Sequence, residues 1–173
     1  LGAWCLMSSG NWGKASSDYY PGETPVFPSA WVRYTLRWSI PWTTRRSIEI
    51  RAHGSLGATC PSVYKAFTQK VNEYFLIESR LPDGYDRGLE RWLGSTFGGL
   101  AVYHVDDDVP TNDDNDHRKV DLEEADGTET IGEPSDLWYR GHPTATVFND
   151  TSSPNSKLYG WLLGLFGEPS GVD

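Results

Sequence analysis

Glu73-Tyr74-Phe75-Leu76-Ile77-Glu78-Ser79 and Gly99-Leu100-Ala101-Val102-Tyr103-His104-Val105 are the stretches on which the fold turns. Each holds four successive apolar or aromatic residues, a run that suits a strand covered on both faces. They are expected at the centre of a sheet. Between them Pro82-Asp83-Gly84 signals a turn, because proline fixes its own φ and glycine accepts positive φ. The onward connection to Phe97 reads as long and mobile.

Outward from this pair, Val63 to Phe67 reads as another strand, and Lys119 to Glu123 as one more. Ser47 to Ala52 alternates Ile48 and Ile50 with charged Glu49 and Arg51, as a strand with one wet face would. Ser29 can cap free amides ahead of Trp31, Tyr34 and Trp38, which fall at helical spacing and predict a short helix over Ala30 to Arg37, stopped by Pro41. The first 28 residues are rich in Gly, Ser, Pro and aromatics and read as loop. Ser156 to Phe166 reads as a terminal strand or packing segment. Eight Trp and nine Tyr against one Met also favour pleated surfaces over long helices. The expectation is a mainly β protein, with no internal repeat.

The chain has 173 residues and a net charge of -9. That charge argues against nucleic acid as a partner, since affinity for phosphates rests on Lys and Arg. No run of 18 apolar residues exists to span a membrane; Leu158 to Phe166 is short and broken by Gly160 and Gly164. The opening at Leu1 lacks a basic region before an apolar one, so no signal peptide is expected there, and the chain reads as a mature or excised piece of something longer. Cys5 and Cys60 are too few for a four-thiolate zinc site. A disulfide between them would close a loop worth about 4 kcal/mol in the chain-entropy model and would favour an exported protein, but pairing needs proximity that sequence does not give.

Hydrolytic zinc sites use two histidines one helical turn apart with a glutamate beside the first. His53, His104, His117 and His142 are scattered, none with a second histidine four residues away, and they read as surface or core-edge residues. No serine sits in a Gly-x-Ser-x-Gly elbow. From Asp106 to Asp126 there are ten carboxylates and only two basic residues, Arg118 and Lys119. Calcium takes six to eight oxygens from flexible loops. Asp106, Asp108, Asn112, Asp114 and Asp116, with Asp121 and Glu124 nearby, are therefore calcium candidates, although the spacing is not that of an EF-hand and charge runs are usually solvated loops. Trp4, Trp12, Trp31, Trp38 and Trp42 admit two readings, sugar platforms or core, of which core is preferred. Asn149-Asp150-Thr151 is a glycosylation acceptor by type, though a common tripeptide.

Four blocks, in order, resemble the distal part of immune inhibitor A type metallopeptidases. They are Glu73 to Arg80; Gly84-Tyr85-Asp86; Gly99 to Asp106; and Val120-Asp121-Leu122-Glu123-Glu124-Ala125-Asp126-Gly127; ahead of them stands a further segment, Gly2 to Gly10 with Pro28-Ser29-Ala30-Trp31. That segment is similar to the portion just downstream of that family's zinc-binding helix, and the likeness runs from Gly2 to about Gly160. It implies a secreted zinc endopeptidase acting on protein substrates. Residues 1–45 would end the catalytic region, with Met7 packing in a turn beneath the zinc; residues 46–173 would form a β-sandwich-like domain with the acidic loop, stabilised by calcium. The zinc-binding His-Glu-x-x-His element would lie in an upstream segment, so these residues are not expected to be catalytic alone. The competing expectation is a non-enzymatic, calcium-stabilised β module for adhesion, binding or assembly.

Overall fold

In the computed structural model, four antiparallel strands form one sheet in the order β1-β2-β3-β4: β1 Val63–Phe67, β2 Glu73–Arg80, β3 Gly99–Asp106 and β4 Val120–Leu122. The structure describes residues 1–43, 50, 62–94, 97–144, 147–149, 151–152, 154–156 and 158–159. The expected strand over Ser47 to Ala52, apart from Ile50, and most of the expected terminal segment fall outside these residues, as does Cys60. Cys5 is buried with a free thiol.

The two apolar stretches do occupy the centre. β2 pairs with β1 from Phe67↔Tyr74 to Val63↔Glu78 and with β3 from Glu73↔Asp106 to Arg80↔Gly99. Alternation sorts the side chains between two faces. One presents Val63, Tyr74, Leu76, Ala101, Tyr103, Val105, Val120 and Leu122, and is covered by Trp4, Val26, Ala30, Leu89, Leu93 and Leu137. The other presents Ala66, Phe75 and Val102, and is covered by Ala125, Trp138, Leu158 and the partly buried Phe148. Burial on both sides is the reason these strands read as unbroken apolar runs. Among the described residues there is this one sheet; Trp138 extends its β4 edge by exchanging backbone hydrogen bonds with Leu100 at 2.8 and 2.9 Å.

The helix α1 spans Ala30–Thr35, with Ser29 Oγ accepting from the Val32 amide as a cap should. It ends two residues before the expected Arg37, which adopts φ +60°. That left-handed residue turns the chain away, so the stripe of Trp31 and Tyr34 does not continue to Trp38, which is 68% exposed. The reading of the tryptophans as core is corrected accordingly: Trp4 is fully buried and Trp31 is packed against the core, but Trp12, Trp38 and Trp42 are exposed.

The connection after Pro82 is also corrected. Gly84–Leu89 forms a 3-10 helix and Glu90–Leu93 a single turn, α2. Gly84, at φ +55°, opens the first, with Asp83 Oδ1 accepting from its amide at 2.7 Å. Leu89 and Leu93 then reach the core, which ties the segment down. Short 3-10 turns also punctuate the opening loop at Gly2–Trp4 and Ser9–Trp12. No helix among the described residues is long and apolar enough to cross a membrane.

Candidate functional site

Two inward-facing residues at the end of β2, Glu78 and Arg80, organise the N-terminal segment. Glu78 is almost wholly buried between Arg33 of α1, to which it is ion-paired, and Arg80, at 3.0 Å. It also accepts from Tyr103 Oη at 2.7 Å and from the Ala30 amide at 3.1 Å. Burial opposes its charge, but the two guanidiniums and the phenol outweigh that and hold its carboxyl below the usual range. Arg80 reaches further, donating to the Trp4 carbonyl at 2.7 Å and to Asp86 Oδ1 at 2.7 Å. Asp86 in turn accepts from the Phe27 amide at 2.8 Å.

This network fixes the turn that carries Met7. The Cys5 carbonyl accepts from the Ser8 and Gly10 amides at 2.9 and 3.2 Å, closing a loop whose tip leaves Met7 75% exposed. Trp4, one residue before that turn, is held from both ends: its carbonyl by Arg80, its indole by Asp136.

On the opposite sheet face His104 is almost fully buried, not at the core edge as its isolation in sequence suggests. Its ring stacks between Phe75 and Tyr159, at centroid distances of 4.4 and 4.7 Å. Its Nε2 lies 2.9 Å from Glu73 and its Nδ1 3.2 Å from Glu123. Burial disfavours the imidazolium, yet hydrogen bonds to Glu123 and Glu73 prevail and raise its pKa to about 8. Tyr159 also donates its amide to Glu73 at 2.6 Å, and its ring stacks on His117 at 4.0 Å. His142 is buried as well, bonded to the Ser135 carbonyl at 2.9 Å.

Among the seven calcium candidates, five side chains bond other partners, Asp116 contributes its backbone amide and Glu124 keeps one oxygen unpartnered. Asp106 accepts from the Asp108 amide and bonds His117, both at 2.9 Å. Asp108 accepts from Asn72 at 2.8 Å, and Asp114 from the Asp116 amide at 2.9 Å. Asp121 pairs with Arg118 at 2.6 Å. Asn112 both accepts from the Val120 amide, at 3.0 Å, and donates to the Val120 carbonyl, at 2.7 Å. Because Val120 and Val105 form a non-hydrogen-bonded pair, those two backbone groups point away from β3, and the Asn112 carboxamide serves as their strand partner. Glu124 is buried with one oxygen, Oε1, unpartnered. Burial, with the nearby charges of Asp121 and Glu129, raises its pKa to about 8 against the help of a backbone hydrogen bond. Among the described residues no group of three or more His, Cys, Asp or Glu is arranged to hold a metal ion, calcium or zinc.

The residues that sequence reasoning passed over are Glu73, Glu78 and Arg80, with Asp136; Glu123 reads in sequence only as a further carboxylate beside Asp121 that could add a metal ligand, not as a partner of His104. A signal for three of them was present. A strand covered on both faces must bury every side chain it carries, charged ones included, and Glu73, Glu78 and Arg80 all lie on β2. Comparison with family models, curated proteins and solved structures finds no match.

Proposed function

We propose that this chain is the distal part of a secreted zinc endopeptidase of the immune inhibitor A type, contributing the support of a protein-cleaving cleft rather than its reactive centre. One observation carries the reading. The blocks that resemble the family fall on adjoining elements of a single core: β2, β3, β4 with its following turn, and the N-terminal segment that Arg80 and Glu78 hold against them. Segments far apart in sequence and alike in one family thus meet in space, as parts of one folding unit would.

Met7 supports the same reading. It sits exposed on a turn whose base is bonded into the core, where an upstream catalytic segment would cover it. Among the described residues no zinc ligand set is assembled, and in this reading the metal and the water it activates would be held by that upstream segment. The β-sandwich-like arrangement proposed for 46–173 would add strands from outside the described residues. Calcium at the acidic loop enters the proposal only by displacing present partners, His117 from Asp106, Asn72 from Asp108 or Arg118 from Asp121.

The test is the coding sequence ahead of Leu1 together with casein cleavage by the intact protein. A His-Glu-x-x-His element upstream, and activity lost when its glutamate is changed to glutamine, would support the proposal; an upstream region without that element ends it. Calcium is tested by thermal unfolding with and without chelator, because a ligand that binds only the folded state raises the midpoint by mass action. An unchanged midpoint at millimolar calcium removes calcium from the proposal.

A further inference from the structure

The only Asn-x-Ser/Thr tripeptide of the chain begins at Asn149, and its surroundings bear on whether it could be modified. The preceding residue, Phe148, is packed edge-on to Phe75 and Trp138 at 5.3 and 5.2 Å, so the turn is moored to the core. Asn149 Oδ1 accepts from the amide and the hydroxyl of Thr151, both at 2.9 Å, and from the Ser152 amide at 3.0 Å. Its carbonyl accepts from Ser152 Oγ at 2.9 Å and from the Ser156 amide at 3.0 Å. All of these bonds use oxygens of Asn149. Its Nδ2, the atom that would carry a glycan, makes no hydrogen bond among the described residues, and Thr151 beside it is exposed.

We propose that Asn149 is an N-glycan acceptor. The donor class is a lipid-pyrophosphate-linked oligosaccharide. Nδ2 attacks the anomeric carbon, a C–N bond forms as the C–O bond to the pyrophosphate breaks, the lipid pyrophosphate leaves with the electron pair, and Nδ2 gives one proton to a base of the transferase. The proposal rests on the reading of this chain as exported, since the donor and its transferase belong to export pathways. A glycan at this point would project beside Phe148, which packs over the second sheet face.

The experiment is expression of the full chain behind a cleavable secretion signal in yeast, with intact mass measured on both medium and cell fractions before and after an amide-cleaving glycosidase. The expected result is one enzyme-removable glycan, abolished by Asn149→Gln and by Thr151→Ala and kept by Thr151→Ser. An unmodified mass in both fractions, or a shift that survives Asn149→Gln, overturns the proposal. Fractionation of the source cells tests the export reading separately: a chain retained inside them, yet glycosylated in yeast, leaves the acceptor site standing and removes the other.

Discussion

The indole N–H of Trp4 donates to Oδ2 of Asp136 at 2.9 Å, joining residues 132 positions apart in a buried contact. The same carboxylate oxygen accepts from the Gly132 and Glu133 amides at 2.6 and 3.1 Å. One side chain thereby shapes its own loop and anchors the first turn of the chain. Trp4→Phe keeps most of the apolar volume and removes the donor. Hydrogen bonds to charged groups contribute roughly 1.5–3 kcal/mol, so the variant is expected to lose about that much stability in urea unfolding. Trypsin cleavage at Lys14 should quicken more than cleavage at Arg118.

Glu78 stands between two buried guanidiniums, and removing its charge takes a carboxylate from each, although Arg80 keeps its pairing with Asp86. Glu78→Gln is expected to destabilise by about 3–5 kcal/mol, the usual cost of breaking a buried ion pair from one side. Chemical denaturation measures it. A loss below about 1 kcal/mol would mean that the pair is solvated.

His104 gives a pH dependence with a defined sign. Hydrogen bonds to Glu123 and Glu73 raise its pKa from the ordinary 6.5 to about 8, so the folded state binds the proton more tightly than the unfolded one. The stabilisation is fully present below about pH 6.5 and is lost as pH rises through about 8. His104→Phe keeps the stack with Phe75 and Tyr159 but removes this dependence. Unfolding midpoints of both proteins at pH 6 and pH 9 should show the wild type falling more steeply, which equal slopes would contradict.

Asn112 and Asp114 lie two residues apart in the acidic loop but differ in what they hold. Asn112 satisfies the outward amide and carbonyl of Val120, whereas Asp114 bonds only within the exposed part of the loop. Asn112→Ala is expected to cost about 1–3 kcal/mol, because backbone groups at the sheet edge lose their partner. Asp114→Ala should lie within about 0.5 kcal/mol of wild type. Amide exchange at Val120 distinguishes them directly.

Local pattern made much of the sheet legible. β1 has the expected bounds, and β2 and β3 each run one residue past them. The 3-10 connection over Gly84–Leu89 was not legible, because its order comes from Leu89 entering a core assembled elsewhere and from Asp86 meeting Arg80. The acidic loop was legible as a charge run only. Which of its carboxylates would converge depends on partners such as Asn72 and His117, supplied from β2's approach and the loop's own return.

By itself the sequence determined where the four strands of the sheet and the start of α1 form, since those follow from short-range periodicity, capping and turn residues acting over a few positions. Tertiary structure alone decided how the charges are used: that Glu78 lies between Arg33 and Arg80, that His104 sits between Glu73 and Glu123, and that Trp4 meets Asp136. The energy of a buried charge depends on which opposite charges and donors surround it, and here most of those come from chain segments that only folding brings within hydrogen-bonding distance.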